Sequence, residues 1–430
     1  MSTADTSWFT EARFGLFIHW GLYAMGARHE WLQANEAIDP QRYAELYFDR
    51  FEPDLFEPED WAGLAASAGM RYLVVTSKHH EGFCLWDSAQ TGFTAPNTPA
   101  AQDLLRPLLD AFRDRGLRTG LYYSLLDWHH PDFVIDRHNG PLRQGDLAAL
   151  NAGRDQRRYA AYMREQVREL LSDYGDIDIL WFDFSYPQED DSGKGRTDWE
   201  SERLVEVVRE LAPRVILNDR LDLPGGGDVV TPEQFQPRMP LTDEAGRPVV
   251  WEACQTLSGS WGYHREEASW RSPRELITTL IDTVSKGGNL LLNVGPDARG
   301  RIDERARSRL QAIGEWMRLH SRSIHGCGAP PADIGQFADG RLTWDARRRR
   351  LYAHVFTWPY KHLHLPVAPE QVAYAQFLHD GSEIPIAGLE EWQARWQRVA
   401  GFDPTMTTLT LPQRPPAVEV PVIELFLRDE

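Results

Sequence analysis

The feature that most restricts the fold of this chain is an alternation of short apolar runs with segments of helical periodicity. Seven runs are predicted as strands, at residues 14–20, 72–78, 119–124, 177–184, 215–219, 249–253 and 289–294. Helical periodicity predicts helices at residues 58–68, 104–115, 159–174, 199–211, 273–285 and 304–319. Strands and helices that alternate at this spacing indicate βαβ units and a parallel sheet. We therefore predict an α/β fold with a (β/α)8-like, TIM-type barrel, in which an eighth unit is irregular or missing.

The last hundred residues follow a different pattern, one of short alternating strands separated by turns. These strands are predicted at residues 340–344, 350–357, 362–366, 374–378, 405–411 and 418–427. Such a pattern is typical of a small antiparallel β-sandwich. A chain of 430 residues is also too long for one ordinary hydrophobic core. We predict a barrel over residues 1–333 and a C-terminal β-sandwich domain over residues 334–430.

The composition excludes several classes of partner and cofactor. A net charge of -18 argues against nucleic acid and anionic membrane surfaces, which require basic patches. No apolar run is long enough to span a membrane, and no GxGxxG motif opens a helix after a strand. The three cysteines, Cys84, Cys254 and Cys327, are widely spaced, which predicts neither a disulfide framework nor a zinc site. Reduced thiols and an N-terminus without signal-peptide features predict a cytoplasmic location.

Polar and aromatic residues crowd the predicted carboxyl ends of the strands. In a barrel of parallel strands, this end is where the chemistry takes place. The residues concerned are His19, Glu30, Trp31, His79, His80, Trp181, Asp183, Arg220, Glu233, Glu252 and Trp261. One such residue would mean little by itself, but convergence from six strands indicates a functional site.

Two of these carboxylates suggest the kind of chemistry. Asp183 ends a buried strand, where an ionised carboxylate loses hydration unless it is hydrogen-bonded or employed. Histidines, carboxylates and tryptophan faces suit a ligand rich in hydroxyl groups, and a carboxylate pair suggests glycoside hydrolysis. Asp183, short and held on a strand, suits the ionised role, whereas Glu233, longer and on a loop, suits the proton donor. Glu252 is a second candidate for the donor, or a strand-end carboxylate paired with a basic neighbour.

Taken together, the motifs of the chain resemble those of the α-L-fucosidases of glycoside hydrolase family 29. The matching motifs lie at residues 13–21 (RFGLFIHWG), 29–31 (HEW), 78–83 (KHHEGF), 181–183 (WFD), 218–220 (NDR), 231–233 (TPE) and 258–263 (SGSWGY). They span the predicted barrel in the order of the family. Phe184, Ser185 and Tyr186 follow the aspartate where many members carry small residues, which leaves the local shape of the pocket open.

The resemblance implies a retaining exo-α-L-fucosidase that releases terminal fucose from oligosaccharides or glycoconjugates, with a leaning towards α-1,3 and α-1,4 linkages. It implies Asp183 as nucleophile and Glu233 as acid/base, and no metal or organic cofactor. The implied sugar ligands are His19, Glu30, Trp31, His79 and His80. Trp181 and Arg220 are implied beside the two carboxylates, and Phe17 and Trp261 in a pocket for the fucose methyl group. Which of Tyr122 and Tyr123 faces the sugar stays open.

Two other functions are compatible with parts of the sequence. A metal-dependent barrel hydrolase could use the many histidines, but His79 and His80 are adjacent and would point to opposite faces of a regular strand. A carbohydrate-binding protein without activity would not need both Asp183 and Glu233. The sequence makes no prediction of oligomeric state.

Overall fold

A curled sheet of seven parallel strands forms the centre of the molecule. The computed structural model describes residues 4–189, 192–387 and 405–428. The strands are β1 (Phe14–Ile18), β2 (Tyr72–Lys78), β3 (Arg118–Ser124), β4 (Ile179–Asp183), β5 (Ile216–Leu217), β6 (Glu252–Thr256) and β7 (Asn289–Val294). Their order in the sheet is β5-β4-β3-β2-β1-β7-β6, and every neighbouring pair is parallel. The predicted α/β barrel fold is confirmed.

An irregular segment, residues 228–234, occupies the gap between β5 and β6 and is called the closing segment. On one side the Val229 amide donates to the Leu217 carbonyl of β5. On the other side, Val230 forms a parallel bridge with Trp251, which immediately precedes β6, and Glu233 forms one with Cys254 in β6. Pro232 has no amide hydrogen to donate, so this segment cannot form a regular strand. It nevertheless bonds to both edges and completes the ring, which is the irregular eighth unit that the sequence predicted.

The first helix precedes β1 and packs Phe9 and Ala12 into the inner core of the barrel, whereas the longer helices after the strands cover the outside of the sheet. The helices are α1 (Ser7–Ala12), α2 (Tyr23–Gly26), α3 (Leu32–Asn35), α4 (Pro40–Tyr47), α5 (Pro58–Ser67), α6 (Leu105–Asp114), α7 (Leu147–Leu150), α8 (Gln156–Asp173), α9 (Arg196–Trp199), α10 (Ser201–Leu211), α11 (Pro273–Val284) and α12 (Glu304–His320). The start of α11 follows from the sequence, since Ser272 and Glu275 form a reciprocal capping box with Pro273 at the first helical position.

The period of two along each strand divides the barrel residues between two cores. Leu121 and Tyr123 of β3 face the surrounding helices, whereas Tyr122 points into the barrel. In the same way Trp181 of β4 points inward while Leu180 and Phe182 point outward. A side chain that points inward at the carboxyl end of a strand therefore lies in the mouth of the barrel.

The C-terminal part contains two antiparallel sheets. The strands are β8 (Gly340–Asp345), β9 (Arg350–Val355), β10 (His362–Leu365), β11 (Val372–Phe377), β12 (Thr407–Thr410) and β13 (Val422–Leu427). Four of them form a sheet in the order β11-β13-β9-β8, and β10 pairs with β12. Their apolar side chains form a separate core that begins at Ile334. Among the described residues, no helix is long and apolar enough to cross a membrane.

The sixth barrel strand was predicted wrongly. It was expected at residues 249–253, but β6 runs from Glu252 to Thr256. The β-branched residues Val249 and Val250 favoured the earlier register. In the structure these two residues precede the strand, and the Val250 carbonyl accepts from Val230 in the closing segment. The shift matters for function because it moves Glu252 from the predicted end of the strand to its beginning.

Candidate active site

A cavity of about 360 Å³ opens at the carboxyl end of the barrel strands. Its lining consists of Phe17, His19, Glu30, Trp31, His79, His80, Tyr122, Trp181, Asp183, Phe184, Glu233, Cys254 and Trp261. All the residues predicted for the site line this cavity, except Arg220 and the alternative donor Glu252. Segments far apart in the chain therefore meet at one small cavity.

Asp183 is the last residue of β4 and is almost buried, with 9% of its surface exposed. Both of its carboxylate oxygens are bonded. Tyr122 donates its phenolic hydrogen to Oδ2 at 2.8 Å, and Arg220 donates to Oδ1 at 2.7 Å. His80 Nε2 lies 4.0 Å from Oδ2. These contacts hold the carboxylate in one orientation at the wall of the cavity.

Arg220 links the two candidate catalytic carboxylates. One nitrogen, Nη1, donates to Asp183 Oδ1 at 2.7 Å and to Glu233 Oε2 at 2.6 Å. Because both oxygens contact one atom, they are no more than about 5 Å apart, which is compatible with the short carboxylate separation of retaining glycosidases. The guanidinium is itself fixed, since it donates to the Thr231 side chain and carbonyl and lies over the Trp181 ring. Burial opposes its charge, but the carboxylates raise the pKa of Arg220 above its usual value.

The two carboxylates differ in their exposure. Glu233 lies in the irregular closing segment, and 40% of its side chain is exposed, compared with 12% for Asp183. Glu233 therefore occupies the solvent side of the pair, where a group leaving the cavity would pass. Asp183 faces the interior.

Hydrogen bonds beneath His19 fix the tautomer of its ring. His19 Nδ1 lies 2.6 Å from Asn293 Oδ1, and the Asn293 amide donates to the Trp261 carbonyl. Because Asn293 Oδ1 can only accept, the His19 hydrogen lies on Nδ1 and Nε2 carries a lone pair. Burial lowers the pKa of His19 to about 3, so the ring is neutral near pH 7. Its Nε2 can accept a hydrogen bond from a hydroxyl group.

His80 is held in the same tautomer by a different residue. The Ser124 hydroxyl donates to the Leu126 carbonyl and so accepts from His80 Nδ1 at 2.6 Å. Burial lowers the pKa of His80 to about 4, and it lowers the pKa of His79 well below the ordinary value. Both rings line the cavity, with centroids 4.0 Å apart. The expectation that they point to opposite faces is wrong, because both follow the end of β2, where the period of two no longer applies.

Three residues that line the cavity carry a buried polar atom that makes no hydrogen bond with the described residues. These atoms are Glu30 Oε1, His79 Nδ1 and Trp181 Nε1, and Glu30 Oε1 lies 3.3 Å from His29 Nδ1. Glu30 Oε2, in contrast, accepts from the Gly262 amide at 2.8 Å. Burial raises the pKa of the Glu30 carboxyl. Polar atoms without a hydrogen bond are rare in protein interiors, so these three atoms are candidates for contact with a polar ligand.

Aromatic rings form the rest of the wall. The Phe17 ring centroid lies 5.4 Å from Trp181 and 5.9 Å from Trp261. Trp31 packs against His80 and Phe184 on the opposite side. These rings offer apolar surface beside the polar atoms, which suits a ligand with both hydroxyl groups and apolar faces.

Glu252 does not reach the cavity. It is 1% exposed, and its Oε2 accepts from the Tyr72 hydroxyl deep in the barrel. Burial raises the pKa of Glu252 to about 7, although the hydrogen bond from Tyr72 opposes this shift. For a structural role of Glu252 the sequence predicted a basic partner, whereas the partner in the structure is a tyrosine. Its position at the start of β6 explains its absence from the site.

The residues of the site that were not predicted are Asn293, Ser124 and Cys254, whereas the choice between Tyr122 and Tyr123 was open and Phe184 was named only as the neighbour of Asp183. Tyr122 is the inward tyrosine of β3, while Tyr123 bonds to Gln166 on the outside, so the strand period could have separated them. Asn293 and Ser124 orient histidines from other strands, and no local signal marks them. Phe184 and Cys254 also line the cavity. Among the described residues, no three His, Cys, Asp or Glu side chains form a set that could hold a metal ion.

A paired-carboxylate site with neutral histidines and aromatic walls, at the mouth of a (β/α)8-like barrel, defines a glycoside hydrolase. The family model described as alpha-L-fucosidase matches residues 2–322. The tissue alpha-L-fucosidase of Rattus norvegicus is 29% identical over 95% of this chain and 86% of its own. That of Homo sapiens is 30% identical over 82% and 76%. The chain therefore belongs to the α-L-fucosidases of glycoside hydrolase family 29.

Solved structures show the same similarity along the whole chain. Alpha-L-fucosidase isoenzyme 1 from Paenibacillus thiaminolyticus superposes with a TM-score of 0.90, at 41% identity, and covers 99% of both chains. A family 29 α-L-fucosidase from Bacteroides thetaiotaomicron superposes with a TM-score of 0.82 at 28% identity, covering 98% of this chain and 95% of its own. That structure is described as a trapped covalent intermediate, obtained with 2-fluoro-fucosyl fluoride and a Glu-to-Gln variant.

Proposed function

We propose that this protein is a retaining exo-α-L-fucosidase with Asp183 as nucleophile and Glu233 as acid/base. The observation that carries this assignment is the single Arg220 nitrogen that bonds to both carboxylates. The two bonded oxygens are no more than about 5 Å apart, which supports the short carboxylate separation of a retaining enzyme over the roughly 6.5–9.5 Å of an inverting one. The substrates proposed are fucosylated oligosaccharides or glycoconjugates with a terminal α-L-fucose.

In the first step Asp183 Oδ2 or Oδ1 attacks the anomeric carbon from the β face of the sugar. The C–O bond to the leaving group breaks, and Glu233 donates its proton to the departing oxygen. This step produces a β-linked fucosyl-enzyme and an ionised Glu233. Arg220 supports the exchange, because its charge stays in contact with whichever carboxylate is ionised.

In the second step Glu233 acts as a base. It takes a proton from a water molecule that attacks the anomeric carbon from the α face. The bond to Asp183 breaks, the aspartate becomes ionised again, and fucose leaves with retained α configuration. The greater exposure of Glu233 supports this role, since both the leaving group and the water must reach it.

Recognition of fucose is proposed to use both parts of the cavity wall. The Nε2 atoms of His19 and His80 can accept from hydroxyl groups, as can Glu30 Oε1, which makes no hydrogen bond with the described residues. Phe17 and Trp261 are proposed to surround the methyl group at C6. Burying one methyl group in an apolar pocket is worth about 1 kcal/mol, which favours the deoxy sugar over a hexose.

The linkage preference is proposed to be α-1,3 and α-1,4. Its test is a panel of fucosylated oligosaccharides that differ only in linkage, assayed for released fucose. Preferential release from α-1,2- or α-1,6-linked substrates would contradict this proposal without affecting the assignment of the carboxylates.

The catalytic assignment is tested by azide rescue of two variants on an aryl α-L-fucoside. Asp183→Ala should lose hydrolysis, and azide should restore turnover with the β-configured fucosyl azide as product. Glu233→Ala should instead give the α-configured azide, because azide then attacks the fucosyl-enzyme from the opposite face. Glu252→Gln serves as the matched control and should need no rescue. If Glu252→Ala yields the α azide and Glu233→Ala does not, the proton donor has been assigned wrongly.

A further inference from the structure

A second, open cleft adjoins the sugar cavity and shares two wall residues with it. Asp183 and Phe184 line both spaces. The cleft has a volume of about 860 Å³ and continues between the loops that follow β4 and β5. Its other lining residues include Tyr186, Pro187, Asp219 and Asp222. The cleft is therefore larger than the cavity and begins at the proposed nucleophile.

The cleft reaches residues that contact or adjoin the proposed proton donor, although Glu233 itself lines the cavity. Arg220 and Thr231 also line it, and Arg220 bonds directly to the proposed proton donor Glu233. The oxygen that Glu233 protonates must therefore lie at the boundary between cavity and cleft. Phe184 marks this boundary, since its ring packs against Trp31 of the cavity and Tyr186 of the cleft.

Tyr186 is a rigid aromatic wall of the cleft. Its backbone pairs with that of Lys194 in both directions, and its hydroxyl donates to Asp136 at 2.5 Å. The buried Lys194 ammonium bonds to the same carboxylate. Because the ring is fixed in advance, a ligand that stacks on it does not have to immobilise this side chain.

Asp222 provides a polar group beside this wall. Its backbone φ of 55° lies in the left-handed region, which few residues other than Gly, Asn and Asp adopt readily. One oxygen, Oδ2, accepts from the Arg196 amide, which fixes the carboxylate at the edge of the cleft. A carboxylate has further lone pairs and can accept from sugar hydroxyl groups.

We infer that this cleft binds the sugar that carries the fucose, with one face of its ring on Tyr186 and a hydroxyl group donating to Asp222. This inference rests on the proposed function, because it assumes that cleavage occurs at Asp183. Oligosaccharides are then the preferred substrates, because contacts between the cleft and the sugar that carries the fucose contribute to binding of the transition state.

The experiment compares two substrates that differ in the leaving group. α-L-Fucosyl fluoride has a leaving group of one atom and cannot occupy the cleft, whereas a fucosylated trisaccharide, the best of a panel, can. We expect Tyr186→Leu and Asp222→Asn each to lower kcat/KM for the trisaccharide about ten-fold and to leave that for the fluoride unchanged. Asn tolerates the left-handed conformation and keeps the oxygen for Arg196, so Asp222→Asn should fold normally.

Two control variants separate stacking from general damage. Tyr186→Phe keeps the ring and loses the bond to Asp136, so it should retain activity on both substrates. Tyr360→Leu removes a tyrosine that is 79% exposed on the C-terminal domain and should change neither. Equal losses on both substrates, or no loss on the trisaccharide, would overturn the inference. Failure of the wild type to hydrolyse the fluoride would instead refute the proposed function.

Discussion

Replacing Glu252 with Gln is expected to change the pH dependence of stability while leaving hydrolysis intact. Glu252 is buried in the barrel, where it accepts from the Tyr72 hydroxyl. Burial raises the pKa of its carboxyl from an ordinary value of 4.5 to about 7. Gln keeps an oxygen that can accept from Tyr72 but cannot ionise, so the substitution removes the titration with little change in shape.

The size of the effect follows from the shift. The folded protein holds this proton more tightly than the unfolded chain does, so the carboxyl stabilises the fold fully below about pH 4.5. That contribution is lost as the pH rises through about 7. With about 1.4 kcal/mol for each pKa unit, the loss amounts to about 3 kcal/mol. In a chain of this length it corresponds to a decrease of about 3 °C in Tm.

The assay is thermal unfolding of wild type and Glu252→Gln between pH 5 and pH 9 at constant ionic strength. The Tm of the variant, relative to wild type, should rise by about 3 °C between pH 5 and pH 8. Glu165→Gln, in which a glutamate with 54% side-chain exposure is replaced, is the matched control and should follow the wild type at every pH. Parallel curves for wild type and Glu252→Gln would refute the reasoning. So would a variant that has lost hydrolysis, since that would place Glu252 in the chemistry.

Three further predictions concern the site and the C-terminal core. Arg220→Lys should lower kcat/KM about 100-fold, because one ammonium cannot hold Asp183 and Glu233 as a planar guanidinium does. Steady-state kinetics that show less than a ten-fold loss would contradict this prediction. Tyr122→Phe should slow formation of the fucosyl-enzyme about ten-fold in a pre-steady-state assay, and an unchanged rate would leave Tyr122 a packing role only. Burial lowers the pKa of His354 from 6.5 to about 3, so its neutral form stabilises the fold above pH 6.5, a contribution lost towards pH 3. His354→Gln should therefore flatten the fall in Tm from pH 6.5 to pH 4, and an equally steep fall would exclude this role.

Much of the fold could be predicted because its signals are local. Strand β2 was predicted with both of its ends correct, since seven consecutive buried residues lie between turn residues. The register of β6 could not be predicted, because Val249 and Val250 have a higher strand propensity than the residues that form it. The pairing with β7, in which Glu252 lies opposite Asn289, and the bonds to the closing segment, residues 228–234, decide which part of this region becomes β6.

The candidate site likewise combines features that local sequence predicts with features that depend on contacts between remote segments. The sequence indicated which side chains stand at strand ends, and the structure brings them to one cavity. It could not indicate that His79 and His80 face the same way, because both lie beyond the regular strand. Nor could it indicate that Asn293, from the last barrel strand, sets the tautomer of His19 from the first, since that contact joins residues 274 positions apart.

The sequence by itself determined the barrel, the set of polar side chains at its mouth and the family to which the chain is similar. These follow from periodicity and from short motifs, which are properties of neighbouring residues. Only the tertiary structure decided which carboxylates form a pair, because one Arg220 nitrogen selects Glu233 and burial removes Glu252 from the cavity. Distance and dielectric environment are set by groups from remote segments, and no local pattern records them.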